Sequence, residues 1–159
     1  MAPWLQEVAE LVHAGRRKEA VELTRTRASA GDIAGKVRLA IFGEEAGLSR
    51  DEADAVVDQA ASQVPPEDSD AHWVLHSAYE LRLGTCEYDE KARRALRHLQ
   101  ACAELSSNPI ATYAVAVRYG QGDIGTKPDL QLADAWMERA ANLGNPLAIR
   151  SVARGRRDA

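Results

Sequence analysis

The chain has 159 residues, 45% of them hydrophobic and 28% charged, and a formal net charge of −4 at pH 7. That length suits one domain with a sizeable core. The acidic balance supplies no overall basic field to recruit nucleic acid or acidic lipid, and no run approaches the 18 apolar residues of a membrane span.

Alanine is abundant and there is a single Phe, which favours helices packed closely through small side chains. The opening Met1-Ala-Pro-Trp-Leu-Gln-Glu-Val lacks the layout of a signal peptide, so a cytoplasmic location is expected. Trp4, Leu5, Val8, Leu11 and Val12 form one stripe of a first helix, opened by Pro3 and ended by Gly15. A second helix is expected near Lys18 to Ser29, with Ala20, Val21, Leu23 and Thr24 inward.

Gly31-Asp32 opens the next unit, whose first helix carries Ile33, Ala34, Val37, Ala40 and Ile41 before Gly43 and Gly47 interrupt it. Ser49 with Glu52 spells a capping box, and Val56, Val57, Ala60, Ala61 and Val64 follow up to the stop at Pro65-Pro66. From Ser69-Asp70 a helix takes Trp73, Val74, Leu75, Ala78, Tyr79 and Leu81. Its partner takes Ala92, Ala95, Leu96, Leu99, Cys102 and Leu105. Asn108-Pro109 begins a helix through Tyr113, Val117 and Tyr119, followed by the loop Gly120 to Gly125. A helix with Leu130, Leu132, Ala133, Trp136, Met137 and Ala140 comes next. Asn145-Pro146 opens a last short helix, and the tail from Arg154 is expected to fray.

The turns at Gly31, Ser69, Ser107 and Gly144 recur at intervals of 38, 38 and 37 residues. Three columns share that register: Ala40, Ala78, Ala116 and Ala153; Ala34, His72, Ile110 and Leu147; Ala20, Val57, Ala95 and Ala133. A fixed period of this length is the mark of a solenoid of stacked helical hairpins. The expected fold is all-α, an α-α superhelix of about four hairpins plus a capping helix. The units span about 3–30, 31–68, 69–106 and 107–143, with the capping helix at 144–154.

The unit from Asn108 carries an Ala-rich first helix, Tyr119 and Gly122 of a Tyr-x-x-Gly loop, and Pro128-Asp129. Its second helix runs Ala133-x-x-Trp136-x-x-x-Ala140-Ala141 into Gly144-Asn145. This pattern resembles the Sel-one-like repeat family, a relative of the tetratricopeptide repeat; the units from Gly31 and Ser69 are more degenerate. The resemblance covers roughly residues 16 to 153. It implies a right-handed superhelix and an adaptor or scaffold whose first helices line a concave groove. The opening stretch is also similar to helical N-terminal segments of some bacterial iron/2-oxoglutarate oxygenases.

No constellation in the chain carries chemistry. His72 and His76 share a helix face, but two ligands close no metal site, and His98 would have to join from the neighbouring helix. None of His13, His72, His76 or His98 begins a His-x-Asp/Glu pair. Gly120-x-Gly122-x-x-Gly125 has the GxGxxG spelling but follows a helix and not a strand, so it reads as a repeat loop. Cys86 and Cys102 read as reduced thiols, a disulfide between them being unsupported. Lys91, Arg93, Arg94 and Arg97, with Arg16, Arg17, Arg25 and Arg27, read as a solvated face laced with acidic partners.

The candidate partner-binding residues are those on the first helices: His72, Trp73, His76, Tyr79, Tyr113, Arg118 and Tyr119. For Trp73, Tyr113 and Tyr119 a place in the inter-helix core is an equal alternative, and Trp136 reads as a packing residue. The expectation is a non-catalytic adaptor holding a protein or peptide segment, without cofactor or metal. The alternative is a substrate-recruiting accessory domain of an enzyme such as an iron/2-oxoglutarate oxygenase. Weak self-association through an apolar end of the stack is a further expectation.

Overall fold

The computed structural model describes residues 1–122 and 127–155. Among these the chain forms helices and no strand: α1 (Pro3–His13), α2 (Arg17–Ser29), α3 (Ile33–Phe42), a 3-10 turn over Gly43–Ala46, α4 (Arg50–Gln63), α5 (Ser69–Glu80), α6 (Tyr88–Ser106), α7 (Pro109–Gln121), α8 (Leu130–Asn142) and α9 (Pro146–Gly155). The hairpins α1–α2, α3–α4, α5–α6 and α7–α8 stack through α2–α3, α3–α5 and α6–α7, and α9 closes against α8. The result is an α-α solenoid. No helix among the described residues is long and apolar enough to cross a membrane.

One device starts α3, α5, α7 and α9, and Asp129 repeats it at α8 by accepting the Leu132 N–H at 3.0 Å. A short side-chain oxygen accepts the orphan N–H groups of the first turn: Asp32 from Gly35 (2.8 Å), Asp68 from Ala71 (2.9 Å), Asn108 from Ile110 and Ala111 (2.8 and 3.3 Å), Asn145 from Leu147 and Ala148 (3.0 and 3.1 Å). These caps lie 36, 40 and 37 residues apart, so the period is less even than the sequence suggests. The turn expected at Ser69-Asp70 is already the first turn of α5, because Asp68 supplies the cap. Asp70 is thereby left free to reach the N-terminus, where its two carboxylate oxygens accept the Ala2 N–H at 3.1 and 2.9 Å. This long-range contact ties down α1, whose start has no side-chain cap of its own.

At α4 the capping box is complete, with Glu52 accepting the Ser49 N–H at 2.8 Å and Ser49 accepting from Glu52 at 3.3 Å. Val64 turns extended ahead of Pro65, and the helix stops at Gln63.

The interior divides into two apolar clusters. Trp4, Val8, Val37, Val57, Leu75 and Tyr79 belong to the first; Leu99, Cys102, Ala103, Ala111 and Val115 form the second. Trp73 of α5 packs against both. The approach of α3 to α2 depends on Gly35, where a Cβ would lie 2.8 Å from the Ala28 nitrogen and 2.9 Å from the Arg27 Cβ. Cys86 and Cys102 are both free thiols.

Several inward assignments need correction. Leu81 lies beyond α5 and is exposed while Leu83 enters the core, and Leu105, Leu130 and Leu132 are exposed as well. Of the repeat columns, Ala20, Val57, Ala95 and Ala133 are buried throughout. Ala40, Ala78 and Ala116 are buried, but Ala153 is exposed. The column Ala34, His72, Ile110 and Leu147 splits, its last two members being 63% and 50% exposed. The inward place in the first turn is the residue three after the cap, where Gly35, Ala71, Ala111 and Ala148 stand buried. The loop expected from Gly120 begins later, since α7 runs through Gln121 to a cap at Gly122; residues 123–125 of it, and the tail after 155, lie outside the described residues.

Candidate functional site

The seven candidate residues divide by burial. Trp73, His76, Tyr113, Arg118 and Tyr119 are half-buried. Trp73 and His76, three apart and so on one helix face, bring their rings within 5.9 Å. His76 Nδ1 lies 3.1 Å from the Ala95 carbonyl of α6. The Tyr119 hydroxyl accepts a hydrogen bond from the Gln100 amide at 2.5 Å, while its ring packs on the second cluster beside Trp73 and Trp136. The Arg118 guanidinium pairs with the Glu80 carboxylate of α5. Sequence reasoning misses Glu80 and Gln100. A signal exists for the first, since Glu80 and Arg118 have opposite charge and stand 38 residues apart.

His72 and Tyr79 lie elsewhere. Both are buried, Tyr79 to 2% exposure, so neither offers the partner-facing surface expected of it. They form part of the lining of a half-open cavity of about 450 Å³ walled by α4, α5 and α6. Asp58 contributes from α4, and Arg94, Arg97 and His98 from α6. His72 Nδ1 and His98 Nδ1 are 2.8 Å apart, so one ring donates and the other accepts. His98 also stacks on the Tyr79 ring, with centroids 5.8 Å apart and planes at 12°.

The electrostatics follow from this enclosure. Burial, reinforced by His72, Arg97, His76 and Arg94, pushes His98 down to about 4, leaving the imidazole neutral at pH 7. Burial also lowers His72, against the opposing pull of the Pro66 carbonyl and Asp68. Tyr79 is raised by burial, and its hydroxyl accepts from Arg94 at 3.4 Å.

The walls are held by acidic groups. Asp54 and Asp58, one turn apart on α4, accept the Gly84 N–H (2.8 Å) and the Thr85 N–H (3.0 Å), and so fix the α5–α6 connection. On α6 a single carboxylate, Glu90, accepts from Arg93, Arg94 and Arg97 at 3.0 Å each. Arg93, Arg94 and Arg97 therefore have the acidic lacing expected from the sequence, as do Arg16 with Glu19 and Arg17 with Glu45, whereas Lys91 donates to the Arg82 carbonyl at 3.0 Å. Among the described residues, no group of three or more His, Cys, Asp or Glu side chains stands together to hold a metal ion.

No protein-family model and no curated protein matches the sequence. Solved structures do. A protective antigen of uropathogenic Escherichia coli with an SLR fold superposes over 82% of this chain with a TM-score of 0.56 and 25% identity. This chain is a helical repeat protein of the Sel1-like fold. A Sel1 repeat protein from Oxalobacter formigenes matches over 90% of the chain with a TM-score of 0.53 and 24% identity. The chain spans 27% of the first protein's length and 56% of the second's. In this Sel1-like solenoid the hydrogen-bonded pair His72 and His98, with Tyr79, Arg94 and Arg97, belongs to the α5–α6 unit.

Proposed function

We propose that this Sel1-like solenoid is a non-catalytic interaction scaffold that holds a protein or peptide segment along α5 and α7. The observation that carries this reading is the set of side chains left half-buried on those two helices: Trp73, His76, Tyr113 and Tyr119 beside the Glu80–Arg118 pair. Large aromatics and arginine supply most of the energy at protein interfaces, because each buries much area for few rotatable bonds. A paired arginine next to them supplies orientation. His72 and Tyr79 are excluded from this surface by their burial.

The test is selection of peptides from a displayed random library on the wild-type protein, repeated on a Tyr113→Ala/Arg118→Glu variant. Peptides enriched on the wild type and lost on the variant support the reading. Enrichment that is indifferent to both substitutions overturns the assignment to α5 and α7.

Weak self-association is a second reading, favoured by the 50% and 48% exposure of Leu147 and Ile149 on α9. Sedimentation velocity over a range of concentrations tests it, and a strict monomer at the highest concentration removes it.

A further inference from the structure

The cavity between α4, α5 and α6 has no part in that scaffold surface, yet it brings together two of the four histidines, a buried tyrosine and two arginines. We propose that it is a binding site for a small oxyanion, the carboxylate or phosphate group of a metabolite-sized ligand, held by Arg94 and Arg97 above the floor of His98 and Tyr79.

Three observations carry this. The first is size: about 450 Å³ lies in the range of small-molecule sites, and the walls come from helices and not from loops. The second is charge. Glu90 is one carboxylate shared by three guanidiniums, so positive charge is left over on the side where Arg94 and Arg97 reach the cavity. Asp58 is the opposing charge: its Oδ2 accepts from the Thr85 N–H and hydroxyl at 3.0 and 2.5 Å, and its Oδ1 is buried without a hydrogen-bond partner. Set against Arg93, Arg94 and Arg97, Glu90 and Asp58 together still leave one positive charge in excess. The two imidazoles add no positive charge near neutral pH, which leaves the arginines to attract the anion.

The third is donor supply. A guanidinium has five N–H groups in a fixed fork that matches the spacing of oxygens on a carboxylate or phosphate. Arg94 gives its Nε–H to Glu90 and one terminal N–H to the Tyr79 hydroxyl; Arg97 gives one terminal N–H to Glu90. Both retain further donors. The Tyr79 hydroxyl, accepting from Arg94, keeps its own proton to donate. The floor is rigid: Tyr79 is locked in the core and His98 is held by the stack and by His72. Arg94 and His98 are thus placed before any ligand arrives, which lowers the cost of binding.

The experiment is a titration followed by the ring resonances of His98 and Tyr79. Inorganic phosphate and acetate are the probes, in separate arms, with chloride at matched ionic strength as the reference. A saturable shift with phosphate or acetate and none with chloride is expected, and the arm with the tighter fit names the oxyanion. Arg97→Gln, at a side chain 67% exposed, should leave the circular dichroism spectrum unchanged and weaken that binding by about tenfold or more. Arg16→Gln, at the residue preceding α2, should leave it unchanged. No saturable shift with either anion overturns the proposal, as does equal affinity in Arg97→Gln and wild type. Peptide selection on α5 and α7 can fail without affecting this result, since the two surfaces share no residue.

Discussion

Glu80 and Arg118 stand 38 residues apart in successive repeats, and their side chains form an ion pair from the end of α5 to α7. Both side chains are about a third exposed, so solvent screens the attraction and the pair contributes on the order of 0.5–1 kcal/mol. Arg118→Glu should cost about that much, and Glu80→Lys combined with Arg118→Glu should recover most of it. A double-mutant cycle by urea denaturation checks this. A coupling energy of zero would show that the two charges do not sense each other.

Trp73 is the side chain that both apolar clusters share. In a stack of repeats, cooperativity depends on the interfaces between units as well as on each unit's own stability. Trp73→Ala should therefore do more than remove about 3 kcal/mol of packing. It should broaden the unfolding transition, with the part built on Leu99 and Val115 melting before the part built on Leu75 and Val57. Differential scanning calorimetry compared with the van't Hoff enthalpy reads this directly. A mutant that is merely less stable, with a single sharp transition, would show that the clusters are joined by other means.

The helices and their pairing are legible in the sequence because apolar spacing and caps are local: α1, α2, α3 and α4 fall within a residue or so of the expected bounds. Inference carried by the register alone fails. Counting 38 residues from Asp32 gives Asp70, and nothing local says that Asp68 will cap α5 and release Asp70 to hold Ala2. The same two-residue offset misplaces His72, which a count of 38 residues matches to exposed Ile110 but which is itself buried. Residue type alone puts Tyr79 in a groove, although its ring position beside Ala78 is decided by the arrival of α6 and His98 from a distant segment. Pairings across units, such as Gln100 with Tyr119, depend on superhelical geometry that no short window contains.

Gly35 lies inside α3, where Ala is ordinarily about 1 kcal/mol more favourable than Gly. Here the order should reverse. A methyl group would press on the backbone of α2 at 2.8–3.0 Å, and backbone atoms cannot rotate away. Gly35→Ala should destabilise the protein by about 1–3 kcal/mol through overpacking, the propensity gain notwithstanding. Chemical denaturation of the variant decides it, and a stabilised Gly35→Ala protein would mean that α2 and α3 are free to separate.

The histidine pair should make stability depend on pH in one direction. His98 has a folded-state value of about 4 against 6.5 for the open chain, so the unfolded chain takes up the proton first. Above pH 6.5 neither state is protonated at this site and the native state has its full stability. As pH falls from 6.5 towards 4 the unfolded state gains protons that the native state refuses, and stability declines. His72, also lowered by burial, acts in the same sense, but at 2.8 Å two protonated rings cannot coexist, so the pair titrates as one unit. The loss should reach about 2–3 kcal/mol by pH 4 after allowance for partial solvent access. His98→Phe keeps the ring stack on Tyr79 while removing the titrating group. Its melting temperature should therefore fall less steeply between pH 6.5 and 4 than that of the wild type. Parallel pH profiles for the two proteins would place the acid sensitivity elsewhere.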